Sequence, residues 1–176
     1  QLEKFARDFA TVYNKAWAGH AGLKQMEEKT AIRMFNAMKP VMDEKIIWYV
    51  YYKNVPIAFW VNLPDVNQIF KHFNGKFGWF EKLRFIFMLK RRVSKRMIGF
   101  VFGVIPEFQG IGIESAILWY LNEAVLKRPN ITEIEISWVG DFNPKMKATL
   151  DAMNANPGKT HITYRKIFEE SMGFKK

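Results

Sequence analysis

The residues best suited to bind a ligand form a glycine-containing turn between two regular segments. Residues 104–118 read VIPEFQGIGIESAIL, in which an apolar run ends at a proline and Gln109-Gly110-Ile111-Gly112 leads into a helical pattern. Glycine lets the backbone approach a ligand closely, and the N–H groups at the start of a helix bind anions. The spacing therefore predicts either a phosphate-binding loop or a strand-to-helix corner that needs small residues.

Other common sites fit this chain poorly. A dinucleotide fingerprint needs a third glycine where this turn has Ser115, and it follows repeated strand–helix units that are not found here. A P-loop needs Gly-Lys-Ser/Thr, which does not follow the turn. The chain has no cysteine, and its three histidines lack partners at metal-ligand spacing, so neither a thiolate site nor any metal site is predicted.

The elements around the turn predict an α/β fold in which helices flank a central mixed sheet. Two amphipathic helices precede a hairpin, and after an insertion the order continues strand, helix, strand, helix, strand. We expect one domain over residues 1–176. The predicted strands are 46–52, 57–63, 96–106, 132–139 and 160–168, and the later helices span 111–128 and begin at Asn143.

The insertion at residues 63–95 is rich in aromatic and basic residues. Over 63–96 nine lysines and arginines stand against two acidic residues, which gives +7 of the net +10 of the chain. The segment favours a lid or binding surface over a simply packed helix. Its charge indicates a possible anionic partner, which could be a nucleotide, phosphate, nucleic acid or membrane surface.

Nothing in the composition indicates a membrane span or a secretory leader. The longest uncharged apolar runs are far shorter than the roughly 20 residues that cross a bilayer. We therefore expect a cytoplasmic protein. The chain opens at Gln1 within a helical pattern, so we interpret it as part of a longer protein.

The motif GVIPEFQGIGIESAIL resembles the acetyl-CoA-binding motif of the GCN5-related N-acetyltransferase (GNAT) family, Gln/Arg-x-x-Gly-x-Gly/Ala. Gln109 matches its first position and Gly112 its fourth. YYKNVPIAFWV resembles the family's second and third strands, and residues 138–168 resemble its fifth strand, fourth helix and closing strand. The resemblance covers roughly residues 1–168. The family's first strand is missing, which agrees with a chain that is the C-terminal part of something longer.

The resemblance implies an N-acetyltransferase that uses acetyl-CoA, or another acyl-CoA, as co-substrate and an amine as acceptor. The amine would attack directly within a ternary complex, and a backbone N–H near Ile105 would polarise the thioester carbonyl. The pyrophosphate would lie on the glycine turn and the pantetheine arm along the preceding strand. The implied binding residues are Phe102, Val104, Ile105, Gln109, Gly110, Ile111, Gly112, Ile113 and Asn143.

Candidates for proton transfer lie on the last two predicted strands. Glu135 shares a strand face with Glu133 and could relay a proton from an ammonium group, although both could instead pair with lysine or arginine. Tyr164 on the closing strand is the second candidate, beside His161.

The sequence departs from the family pattern at two positions. Glu114 stands where the motif has Gly or Ala, so its carboxylate either repels a pyrophosphate or points away from the loop. Leu150 stands where the family has a tyrosine that protonates the leaving thiolate. Two alternatives follow, a catalytically degenerate binding module of a longer protein and a relative that transfers aminoacyl or peptidyl groups from an RNA-linked donor.

Overall fold

A computed structural model of the chain describes residues 1–17, 24–137, 139–141, 143–164, 166 and 168. These fall into two compact units, Gln1–Ser137 and Trp138–Lys176. The second unit contains α6, and all other elements belong to the first. The elements are α1 (Leu2–Trp17), α2 (Glu28–Met38), β1 (Ile47–Tyr52), β2 (Val55–Pro64), α3 (Asn67–Phe70), α4 (Trp79–Lys90), β3 (Arg96–Val104), α5 (Ile113–Leu126), β4 (Glu133–Ile136) and α6 (Pro144–Ala152).

The sheet has four strands in the order β1-β2-β3-β4. The β1–β2 and β2–β3 pairs are antiparallel, whereas β4 runs parallel to β3. This confirms the predicted mixed sheet with flanking helices. The β2–β3 register shifts because Val61 pairs with Val101 but Asn62 pairs with Gly99, which leaves Phe100 as the extra residue of a bulge.

The two faces of the sheet are covered by different helices. On one face Phe9 of α1 lies 4.5 Å from Phe59 of β2 between ring centroids, within a buried cluster that also includes α2. Successive strand residues point to opposite faces. Trp48 of β1 accordingly lies on the other face, where its ring stacks on Tyr120 of α5 at 6.1 Å. This contact packs α5, which follows the glycine turn, against the second face of the sheet.

The insertion folds as a small helical layer with its own core. Ile69, Phe73 and Phe85 are buried together, and Phe85 lies on α4. The N–H of Asp65 donates to the carbonyl of Arg96 at 3.0 Å, so the two ends of the insertion meet beside β3. The insertion is therefore anchored at the start of the strand that leads to the glycine turn.

The predicted closing strand at residues 160–168 is wrong for the part that the structure describes. Residues 160–164, 166 and 168 include no strand, and the side chains of Ile162 and Tyr164 are exposed; residues 165 and 167 lie outside the described set. A strand needs a neighbouring strand for its N–H and C=O groups, and no described strand pairs with this segment. The strand predicted at 132–139 is shorter than expected and ends at Ile136.

The described residues contain neither a membrane-spanning helix nor a metal-binding cluster. None of the helices there is both long and apolar enough to cross a bilayer. The same residues contain no group of three or more His, Cys, Asp or Glu side chains that could hold a metal ion.

Candidate functional site

The strand β3 loses its partner halfway along one edge. Its first residues pair with β4 from Arg96 to Gly99, and the Gly99 carbonyl then accepts from the N–H and Oγ of Ser137 at 3.1 and 2.8 Å. From residue 100 to Val104, within the described part of the chain, β3 pairs with β2 alone. Among the described residues, the parallel ladder of β3 and β4 therefore ends at Gly99.

The backbone groups along this free edge follow from the strand alternation. The N–H of Ile105 donates to the carbonyl of Ile57 on β2 at 3.0 Å. In an antiparallel pair alternate residues face alternate sides, so Val104 and Phe102 direct their N–H and C=O groups away from β2. The N–H of Ile105 itself is therefore used in the sheet, and the oxyanion donor expected near Ile105 stays a prediction. Val104 presents the nearest N–H on the free side.

The glycine turn continues directly from this edge. A short 3₁₀ turn over Pro106–Phe108 leads to Gln109, whose Nε2 donates to the Val104 carbonyl at 3.0 Å. Gly110 and Gly112 have φ values of 74° and 93°, and a Cβ built on either would meet no heavy atom within 4 Å. These glycines are thus required by backbone conformation, while the space in front of them is open.

The turn ends in the first residues of α5. The carbonyl of Gly112 accepts from the N–H of Ala116 at 2.9 Å, which is the first bond of the helix. The N–H groups of Ile113, Glu114 and Ser115 precede this bond and have no partner inside the helix. Together with the helix dipole they form a concave set of donors suited to an anion.

The side chain of Glu114 folds back over this set of donors. Its Oε1 accepts a hydrogen bond from the Gly110 N–H at 3.3 Å. The carboxylate therefore takes one donor that a phosphate would use and adds a negative charge at the same place. The contact is long and the side chain is partly exposed, so a rotation about its own bonds would release it. Of the two orientations considered for Glu114, the structure has the one toward the loop.

The predicted base Glu135 is held in an ion-pair cluster. Its Oε2 lies 2.7 Å from Nη1 of Arg96, which also approaches Glu133 at 3.1 Å through Nε and Asp65 at 3.8 Å. The bond with Glu133, followed by the charges of the other two carboxylates, raises the pKa of Arg96. Of the two roles considered for Glu135, the structure shows the ion pair with an arginine, and its role as a proton relay stays a prediction. In the sequence, the opposite charges of Arg96 on one predicted strand and of Glu133 and Glu135 on the next indicated this ion pairing.

The remaining predicted residues belong to the second unit. Asn143 accepts a hydrogen bond from the Met146 N–H at 3.0 Å and Pro144 opens α6, which confirms the predicted helix start. Leu150 is partly buried on the same helix, and Tyr164 is 87% exposed. The first unit therefore brings together the strand edge and glycine turn, while any role of Asn143 and Tyr164 in binding or catalysis stays a prediction.

A second charged pair, which the sequence analysis missed, lies at the far end of α5. Arg128 is 6% exposed and its guanidinium binds both carboxylate oxygens of Asp43, with Nη2 at 3.0 Å from Oδ1. Burial alone would raise the pKa of Asp43, but the bonds from Arg128 and from the Lys45 N–H outweigh it and lower the pKa. The pair lines a cavity of about 480 Å³ between the segment before β1 and the insertion, separate from the glycine turn.

Comparison with known proteins gives two curated relatives and no matching family model. The chain is 27% identical over 161 residues to Protein YghO of Escherichia coli, covering 88% of this chain and 40% of that protein. It is 25% identical over 167 residues to the bacterial ceramide synthase of Caulobacter vibrioides, covering 92% of this chain and 42% of that protein. The chain thus spans about two fifths of the length of these relatives.

Solved structures establish the fold. An aminoglycoside N-acetyltransferase in complex with CoA superimposes with a TM-score of 0.58 at 12% identity, over 93% of this chain and 90% of that one. A putative acetyltransferase from Agrobacterium tumefaciens gives 0.58 at 12% identity, over 93% and 95%. The described architecture is therefore the acyl-CoA N-acyltransferase fold of GNAT proteins.

Proposed function

We propose that this chain is an N-acyltransferase that moves an acyl group from acyl-CoA to an amine. The observation that carries the proposal is the glycine turn, which lies at the open end of β3 and at the start of α5. The fold and the CoA complex of a structural neighbour support the same ligand.

The backbone of the glycine turn, of the first turn of α5 and of β3 fits this co-substrate. The pyrophosphate would accept hydrogen bonds from the first-turn N–H groups of α5, with Gly110 and Gly112 allowing its approach. The pantetheine amides would pair with the backbone of Phe102 on the free edge, because the Val104 carbonyl already accepts from Gln109 and the Val104 N–H is needed at the thioester carbonyl. Glu114 fits least, because its carboxylate must rotate away from the Gly110 N–H before a phosphate can bind there.

The proposed reaction needs an orienting donor and two proton transfers. The neutral amine nitrogen attacks the thioester carbonyl carbon, the C–S bond breaks, and the CoA thiolate leaves and takes up a proton while the amine loses one. The Val104 N–H would stabilise the developing oxyanion. Since Glu135 is paired with Arg96, Tyr164 remains the candidate for proton transfer and solvent the simplest acceptor.

The acceptor class comes from the name of one relative. A ceramide is an amide between a fatty acyl group and a long-chain amino alcohol, so a ceramide synthase forms the same type of bond as the proposed reaction. We therefore propose a long-chain amine as the first acceptor to test, with aminoglycosides as the comparison that the structural neighbour suggests.

Release of free thiol from acyl-CoA tests this function. Acetyl-CoA and palmitoyl-CoA are each incubated with a long-chain amino alcohol, an aminoglycoside or a short alkylamine, and thiol is followed colorimetrically. We expect amine-dependent release that Gly112→Asp abolishes, and a product whose mass equals amine plus acyl group. Thiol release that is independent of every amine, or absent with all of them, contradicts the proposal.

A second candidate, a binding module without catalysis, is favoured by the Glu114 contact with Gly110. Leu150 also favours this alternative, because a leucine side chain cannot protonate a thiolate. Such a module would bind acyl-CoA, or a relative of it, without releasing thiol. Binding measured by calorimetry together with a negative thiol assay would establish this alternative.

A further inference from the structure

One side of α4 carries a stripe of large apolar side chains that face solvent. At about 100° per residue they fall within roughly 120° of the helix circumference. Such a contiguous patch on a surface helix marks an interaction site. We call it the α4 stripe, and its members with their exposed fractions are Trp79 (75%), Phe80 (63%), Leu83 (57%), Ile86 (49%) and Phe87 (56%).

The opposite side of α4 already supplies the core of the insertion. Phe85 is 8% exposed and stacks on Phe70 with ring centroids 5.1 Å apart. Met88 and Leu89 pack against the same buried cluster. The stripe is therefore not needed to hold the helix in place, and about half or more of each of its side chains faces solvent.

Basic side chains border the stripe. Residues 79–92 contain five lysines and arginines and one acidic residue, a net charge of 5 − 1 = +4. The acidic residue, Glu81, is engaged at the helix start, where its carboxylate accepts from the Gly78 N–H at 2.9 Å. Arg91 lies over the Phe87 ring at 4.7 Å, so a cation borders the apolar surface directly. The full set of cations is Lys82, Arg84, Lys90, Arg91 and Arg92.

We propose that the α4 stripe binds the surface of an anionic lipid bilayer. The helix has 12 residues, about 18 Å at 1.5 Å per residue, so it lies in the interface and does not cross it. The stripe inserts among the upper acyl chains, Trp79 sits at headgroup level, and the basic border binds lipid phosphates.

The side-chain types favour lipid over nucleic acid. Single-stranded nucleic acids are held by flat aromatic faces on which bases stack. Leu83, at the centre of the stripe, and Ile86, at one edge of it, have no such face, but aliphatic side chains suit the hydrocarbon boundary of a bilayer. The proposal rests on the insertion alone and does not depend on acyl transfer.

Vesicle flotation tests the proposal. The chain is mixed with vesicles of phosphatidylcholine alone or with 30% phosphatidylglycerol, at low and at physiological salt. We expect flotation with the anionic vesicles that weakens as salt rises, and little with phosphatidylcholine alone. Lys90→Gln/Arg91→Gln should weaken binding about 25-fold, at roughly 1 kcal/mol per cation. Failure to float with anionic vesicles at low salt overturns the proposal.

Exposed residues allow a matched control. Leu83→Ser/Ile86→Ser should reduce vesicle binding about ten-fold or more, because two apolar groups no longer enter the acyl region. Val55→Ser/Ile162→Ser removes two exposed aliphatic side chains elsewhere and should bind like the parent chain. Equal binding by both double variants contradicts insertion. Binding to single-stranded RNA that displaces the vesicles and persists in Leu83→Ser/Ile86→Ser would assign the surface to nucleic acid.

Discussion

The glycine turn after β3 and the outer face of α4 are two surfaces built by opposite means. The turn presents backbone N–H groups, and its key residues have no side chain at all. The α4 stripe presents side chains along the middle of a helix, where the backbone N–H and C=O groups bond within the helix. Both face anions in our proposals, one a pyrophosphate and the other a lipid headgroup.

This difference decides how each surface responds to mutation. A backbone site depends on φ angles, so one substitution at a left-handed glycine changes every donor around it. A side-chain surface is a sum of separate contributions, so single substitutions weaken it by degrees. The two surfaces should therefore fail independently, and the predictions below test that independence.

The largest effect is expected for Gly112→Asp. A non-glycine residue at φ 93° costs about 1–2 kcal/mol, and the new carboxylate faces the proposed pyrophosphate. We expect acetyl-CoA to raise the melting temperature of the parent chain and not that of the variant, with affinity reduced about 100-fold by calorimetry. Vesicle binding through α4 should be unchanged.

Gly75→Asp is the matched control for that variant. Gly75 also has a positive φ, 78°, with open space around it, but it lies in the insertion. It takes the same backbone penalty and the same added charge, so it should keep the acetyl-CoA response. Loss of the response in both variants would mean that the effect comes from instability and not from the loop.

Arg96 links the insertion to β4, because it forms ion pairs with Asp65 on one side and with Glu133 and Glu135 on the other. Arg96→Ala leaves Asp65, whose side chain is 6% exposed, without its cation, and we expect the free energy of unfolding to fall by about 1–2 kcal/mol. Arg7→Ala breaks exposed ion pairs with Glu3 and Glu28 and should cost far less. Chemical denaturation compares them, and equal losses would refute the structural role of Arg96.

Glu114→Ala should tighten acyl-CoA binding about five-fold, because a like charge leaves the loop and the Gly110 N–H becomes available. Glu114→Gln keeps an acceptor for Gly110 but no charge, so its affinity should fall between the parent and the alanine variant. Glu107→Ala removes an exposed carboxylate from the preceding 3₁₀ turn as a control. Weaker binding by Glu114→Ala would show that Glu114 assists the ligand.

The smallest effect is expected in the pH dependence of stability, through the Asp43–Arg128 pair at the end of α5. The folded state lowers the pKa of Asp43 below its usual 3.8, so the pair with Arg128 adds stability above that pH and loses it as the pH falls through the lower folded value. The difference in unfolding free energy between the parent and Asp43→Asn should therefore be constant from pH 5 to 7 and shrink below about pH 4. Asp141→Asn, which removes the exposed carboxylate of the pair with Lys147, is the control at neutral pH and should cost far less stability.

The sequence reveals features that depend on local chemistry and misses those that depend on neighbours. Glycine spacing located the turn, and Asn143 followed by Pro144 located the start of α6. Residues 160–168 were predicted as the closing strand, but a strand also requires a partner, which the local sequence does not report. The orientation of Glu114 depends on the fold of the turn, and sequence spacing leaves it open.

The composition of the insertion predicted part of the α4 surface. It showed an aromatic and basic segment, but which aromatic residues are buried follows only from packing. Phe85 lies in the core whereas its neighbours Ile86 and Phe87 face solvent. The pairing of Glu135 with Arg96 is similar, because the two residues are 39 positions apart and meet only through the parallel pairing of β3 and β4.

The most direct test of the central claim is an amide NMR titration of the ¹⁵N-labelled chain with CoA. The account predicts that the largest shift changes fall on the free edge of β3 and on the glycine turn, at Phe102, Val104, Gly110, Gly112 and Ile113. The amides of α4 should change little. Largest changes on α4 or around the Asp43–Arg128 cavity, or no changes at millimolar CoA, would contradict an acyl-CoA site at this turn.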